Sequence, residues 1–205
     1  MSTFSNTDTG SKTADPYVAK NLQEPDLKTK VTDLLNFADK QKFCMMTTVM
    51  SNGLLASRCM ALAGKEANGL DLLFHTNTES GKTNDLANDS DINIAFLSSS
   101  GEWASISGKA NVETDRAEVK KYYSAGLKAW LGDLGDGTHD GGPDDPRIGI
   151  IRVKTVTAQY AISSKTAVGQ FVEFAKGVAT GETPAINKLR KLDESEVQQW
   201  RASPQ

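Results

Sequence analysis

"LLFHTNTESGKTNDLAND", residues 72–89, runs from an apolar strand through a Gly-Lys-Thr turn into what reads as the first turn of a helix. Two architectures compete for it. Strand, Gly-Lys-Thr and helix in that order is the arrangement of a phosphate-binding loop in a doubly wound parallel sheet. Such a loop needs a glycine five residues ahead of Gly81 so that backbone can wrap the phosphates, and Thr76 stands there. The helix is also short and leads directly into another strand-like run, "DINIAFLSS" (91–99), which points to an antiparallel sheet. The parts still suit a single anion: hydroxyls on Thr76, Ser80 and Thr83, a charge on Lys82, and the Gly81 amide at a helix N-terminus whose dipole favours phosphate. A capped helix carrying a solvated lysine accounts for the same letters equally well.

Outward from that stretch, "KFCMMTTVM" (42–50), "GLLASRCMALAG" (53–64), "GLDLLFHTN" (69–77), the 91–99 run and "GEWASISGKANVE" (101–113) are short segments bounded by Gly, Asn, Asp or Ser. Asn52 and Gly53 in "SNG" suit a hairpin turn with positive φ. Five successive strands with tight turns predict an antiparallel barrel or sandwich. Leu27, Val31, Leu34, Leu35 and Ala38 fall at helical spacing after Pro25. Further helices are predicted over about 80–88, over "TDRAEVKKYYSAG" (114–126) and over "TAVGQFVEFAKGVATG" (166–181). "RIGIIRVKTVTAQYAIS" (147–163) reads as one or two closing strands, and "GDLGDGTHDGGPDDP" (132–146) as an exposed loop. Asp193 and Glu196 stand at capping-box spacing. The expected organisation is a polar N-terminal tail over 1–24, disordered or docking, one domain over 25–180, and a C-terminal helical tail over 181–205.

The 205 residues carry 23 basic and 26 acidic side chains, a formal charge of −3, so no broad basic footprint invites nucleic acid or an anionic membrane. The opening "MSTFSNTDTGSKTADP" lacks the order of a signal peptide, and no run approaches the roughly 20 apolar residues of a bilayer crossing. Only Cys44 and Cys59 are present, both in apolar runs, which suits reduced thiols. A soluble cytoplasmic protein is expected. His75 and His139 stand alone, without the spacing of a metal site.

Arg58 is the second anchor. It sits mid-strand among apolar residues, where a guanidinium is costly unless an anion accompanies it, although a surface-facing Arg on an alternating strand is the simpler alternative. "SRCMALA", "LLFHTNTESGK" and "EWASISGKANV", taken together, resemble in order and spacing the flavin-binding strands of the pyridoxamine-phosphate-oxidase-like split barrels. The similarity covers about residues 25–180, and it is closest to the general-stress-protein branch and the blue-light-inducible proteins of filamentous fungi. It implies a mainly β fold, a six- to seven-stranded antiparallel split barrel with flanking helices, and a homodimer binding FMN at the subunit interface. FAD or a deazaflavin would share the same phosphate cradle.

Carried over by position, the resemblance implies that Arg58 and Lys82 pair with the 5'-phosphate, with Thr76, Ser80 and Gly81 contributing. The main chain of Cys59, Met60 and Ala61 would follow the ring edge, with His75 and Asn77 near the ribityl chain or ring. Trp103 would come from the partner subunit, and Lys128 and Trp130 in "LKAW" match a stress-protein motif near the flavin. A flavin-dependent oxidoreductase acting on a small-molecule redox substrate in a stress or light response is implied, or else a non-catalytic flavin store or sensor. No catalytic acid or base stands out. Ala63 replaces the oxidases' substrate-phosphate lysine, Gly126 falls where their helix carries Arg beside a tyrosine matching Tyr122, and "DESEVQQWRASPQ" lacks their Arg-rich closing strand. Little vitamin B6 oxidase activity is expected.

Overall fold

The computed structural model describes residues 15–203; residues 1–14 of the expected tail lie outside them. Helix α1 (Pro16–Asn21) is opened by Asp15, whose carboxylate accepts the Tyr17 and Val18 amides, and α2 (Leu27–Lys40) by Asp26, which accepts from Thr29. Helix α2 buries Val31, Leu34 and Ala38 of the predicted stripe, with Phe37 beside them.

Eight strands follow: β1 (Cys44–Val49), β2 (Leu55–Met60), β3 (Leu62–Glu66), β4 (Asp71–Asn77), β5 (Asp91–Leu97), β6 (Trp103–Glu113), β7 (Ile148–Ser163) and β8 (Asn187–Leu192). All pair antiparallel in the order β2-β1-β5-β6-β7-β4-β3, and β8 pairs with the second half of β7. The ends of this strip, β2 and β3, are consecutive in the chain and separated only by Ala61. A sheet whose two edges are covalent neighbours must curl back on itself, which makes a barrel with an unpaired seam at Ala61. The stretch 53–64, read as one strand, is therefore two, one on each side of the split. In the first hairpin only Gly53 takes positive φ (79°), while the Asn52 side chain accepts the Leu54 amide.

Met46, Phe74, Ile94, Phe96, Ile106, Ile151 and Tyr160 fill the interior together with α2 and helix α7 (Glu194–Ala202). Outside β4 and β7, Leu73, Ile148 and Ile150 pack with Val119 of α4 (Arg116–Tyr122) and with Leu127 and Leu131 of α5 (Leu127–Leu131). Helix α3 (Gly81–Asn88) packs against β1 and β6, with Leu86 in the interior cluster. Helix α6 (Ala167–Thr180) links β7 to β8.

Two expectations change. The 181–205 segment, expected as a helical tail, first supplies β8; its helix does begin at the Asp193–Glu196 capping box. The 132–146 loop is exposed over much of its length, but Asp145 is wholly buried and binds Arg147, which in turn donates to the Leu131 and Gly132 carbonyls.

Candidate functional site

Register decides where Arg58 points. Directly paired residues of antiparallel strands share a face, and Arg58 pairs with Met46 between the pairs Cys44–Met60 and Thr48–Ala56. Cys44, Met46 and Thr48 are buried, so Arg58 lies on the interior face rather than the solvent face. Its Nη1 donates to Thr48 Oγ1 at 2.7 Å and its Nη2 to Asp85 Oδ2 at 3.3 Å. Thr48, fully buried, donates its own hydroxyl to the same carboxylate oxygen at 2.7 Å. The anion that an inward guanidinium requires is thus partly supplied by Asp85 of α3. The sequence reading missed Asp85 and Thr48; the available signal was an acid one helical turn after Lys82 on the same short helix.

Lys82 differs. Its Nζ donates to Ser80 Oγ at 2.8 Å, and among the described residues no carboxylate pairs with it. Burial, and then the nearby Arg58 guanidinium, hold its ammonium below the ordinary lysine range. Two cations therefore lie within electrostatic reach of each other, and the Asp85 carboxylate pairs with Arg58 alone. Ser80 stands at the N-cap of α3 yet makes no side-chain capping bond; its hydroxyl instead faces Lys82 and Thr83. The turn ahead of it is held by the Asn77 carbonyl, which accepts from the Ser80 amide and the Thr83 hydroxyl. An uncapped helix N-terminus, a half-buried ammonium without a carboxylate and an inward guanidinium fit a phosphate.

The remaining predicted residues divide. Met60 follows Arg58 on the interior face, Cys59 is exposed on the outer face, and Ala61 is the unpaired seam residue. Both cysteines are free, and burial pushes the Cys44 thiol up to about 12. Thr76 is buried on the inner face of β4, with its hydroxyl donating to the Asn77 carbonyl. His75 points the other way, with Nε2 2.7 Å from the Tyr122 carbonyl. Burial lowers its pKa, so the ring is neutral near pH 7, with Nε2 carrying the proton it donates and Nδ1 left as an acceptor. The Asn77 side chain accepts the Glu79 amide and shapes the turn. Trp103 starts β6 on the outer face, paired with Leu97, while Lys128 and Trp130 lie on α5, Trp130 being 89% exposed. One chain does not bring these last three to the Arg58–Lys82 pair. Tyr122, the match to the oxidases' phosphate tyrosine, donates its hydroxyl to Glu66, which Arg152 also binds.

The family described as "Pyridoxamine 5'-phosphate oxidase like" matches residues 26–185. Protein bli-3 of Neurospora crassa is 60% identical over 203 residues, covering 98% of this chain and 97% of that protein. A crystal structure from Clostridium acetobutylicum, of a protein related to general stress protein 26, aligns with a TM-score of 0.54 at 20% identity, over 66% of this chain and 89% of that one. A pyridoxamine 5'-phosphate oxidase-related, FMN binding protein from Nostoc punctiforme aligns at 0.52 with 14% identity, over 68% and 85%. These last two likenesses bear on the fold.

Proposed function

This chain belongs to the pyridoxamine 5'-phosphate oxidase-like family, and from that premise we propose that it is a homodimeric, cytosolic flavoprotein holding FMN by its phosphate between Arg58 and Lys82. The observation that carries this reading is the half-buried Lys82 ammonium, which among the described residues pairs with no carboxylate and lies beside an inward-facing guanidinium. Charge-assisted bonds to a phosphate contribute on the order of 1.5–3 kcal/mol each. Asp85 and Thr48 fix the guanidinium, and Ser80 orients the ammonium. The seam at Ala61 offers main-chain groups free of sheet partners to the edge of a planar ring. FAD or a deazaflavin would meet the same phosphate-binding groups. When bound, a flavin supplies hydride and single-electron transfer, which makes an oxidoreductase acting on a small redox substrate the favoured activity, in a stress or light response. The Tyr122–Glu66 bond, together with Ala63 and Gly126, argues against turnover of a vitamin B6 phosphate.

The test is replacement of Arg58 and Lys82 together by Ala. Flavin occupancy and FMN affinity should fall at least a hundredfold while the circular dichroism spectrum is kept; undiminished occupancy rejects the phosphate assignment. Mass spectrometry of the released ligand identifies the flavin. Anaerobic mixing with NADH or NADPH then separates an oxidoreductase, which bleaches, from a flavin store or sensor, which stays yellow.

A further inference from the structure

Helix α6 is mounted inside out. At 3.6 residues per turn, Gly169, Gln170, Glu173 and Gly177 form one stripe, and these are the half-buried positions facing the chain's own body. The opposite stripe holds Val168, Phe171, Val172, Phe174 and Val178, exposed to between 58% and 74%. The root of the arm is firmly fixed. Gln170 donates to the Ser163 hydroxyl, Lys165 pairs with Glu173, and the Ser164 amide donates to the Ile186 carbonyl. Fully buried Asn21 accepts the Ile186 and Asn187 amides and donates to the Pro184 carbonyl. The helix therefore leaves and re-enters the sheet at one place, Ser163 opposite Asn187, with its apolar face turned outward. A helix of 14 residues is marginal in water without an apolar face packed on something.

A second exposed apolar surface lies on the outer face of the barrel. Met45 and Leu97 stand there at one end with Phe43 nearby, exposed to between 43% and 71%, while Leu54 and Leu55 lie at the other end of β1, beyond the polar row of Thr47, Ser57 and Asn93. The Met45–Leu97 end runs up to the arm's root, because Leu97 pairs with Trp103 and Trp103 with Ala161, two residues before Ser163. Monomers rarely expose a contiguous apolar patch beyond about 300–600 Å². The five arm residues alone amount to roughly 500 Å² and Phe43, Met45 and Leu97 to about 300 Å², which together reach the ~800 Å² per partner of a standard interface. An anionic membrane is a poor occupant, since the arm carries one Glu173 and one Lys176 instead of the basic polar face such helices use.

We infer that α6 is a dimerisation arm: each copy lays its Val168–Phe171–Val172–Phe174–Val178 stripe on the outer sheet face of a second copy of this chain. This rests on the homodimer proposed above and adds the surface that makes it. Each surface needs a cover and each is complementary to the other, so one two-fold arrangement covers both on both copies.

The test is sedimentation of the full chain with flavin bound. Phe171→Asp with Phe174→Asp, and separately Met45→Asp with Leu97→Asp, should each raise the dimer dissociation constant at least tenfold. These positions are solvent-exposed within one chain, so unfolding should not confuse the result, and an unchanged circular dichroism spectrum checks it. Undiminished dimerisation of either pair overturns the inference. So does a parent chain that is monomeric, including one whose arm instead binds phosphatidylserine vesicles. If the parent dimerises through the arm yet binds no FMN, the arm stands and the flavin reading fails; if FMN binds and the arm variants dimerise normally, the reverse holds.

Discussion

At the scale of single residues, the site is a balance of charges that Thr48 and Lys82 adjust. Thr48 bridges Arg58 to Asp85 through one buried hydroxyl. Thr48→Val keeps the shape and the net charge but leaves a guanidinium N–H and a carboxylate oxygen each short of a partner. A stability loss of about 1–3 kcal/mol is expected in urea denaturation, together with weaker flavin binding because the guanidinium is no longer fixed. Lys82 gives a pH dependence of definite sign. A bound phosphate favours the ammonium, which burial and Arg58 disfavour in the free protein. FMN affinity should therefore decline as pH rises through the lowered lysine pKa, earlier than an ordinary lysine would allow, and Lys82→Ala should remove that decline. Fluorescence titration between pH 7 and 10 reads both. The letters around Gly81 revealed Lys82 and those of "SRCMALA" revealed Arg58, while the pairing of Arg58 with Asp85 depends on α3 lying against β1 and was not legible locally.

Secondary-structure elements were legible where their pattern is intrinsic and hidden where a neighbour imposes it. The alternation Asp91–Leu97 is visible in "DINIAFL" and recurs as alternating burial. "NKLRKL" shows no such alternation; it becomes β8 because β4 leaves the second half of β7 with a free edge, and Arg190, buried, pairs there with Asp33. The acid-rich loop was read as solvated because composition cannot show that Asp145 and Arg147 pair in the interior. Asp145 accepts the Gly141 and Arg147 amides and the Arg147 guanidinium, and these hold its carboxyl down to about 2 against an ordinary value of 3.8. Its contribution is complete above pH 4 and is lost as pH falls toward 2. Asp145→Asn should destabilise by about 3–5 kcal/mol at pH 7, as breaking a buried pair does, and should show a shallower loss of stability between pH 4 and 2. In β6, a Cβ on Gly108 would sit 2.2 Å from the Lys154 carbonyl oxygen, at the bulge where the register with β7 shifts. Gly108→Ala should lower the thermal midpoint by several degrees, since a backbone oxygen between paired strands has nowhere to move.

For the whole molecule, one chain carries the Arg58–Lys82 pair proposed to hold the phosphate and the open seam, whereas Trp103 faces outward on the surface assigned to the dimer. If the flavin site is completed by the partner's copy of that surface, binding and association are linked, and linkage is reciprocal. The factor by which dimerisation tightens FMN must equal the factor by which FMN tightens the dimer, so saturating FMN should raise the dimer fraction of a dilute sample and its thermal midpoint together. Sedimentation with and without FMN gives one factor, and flavin fluorescence above and below the dimer dissociation constant gives the other. A flavin affinity that stays constant across that concentration range would mean that each chain completes its own site, with Trp103 serving association alone.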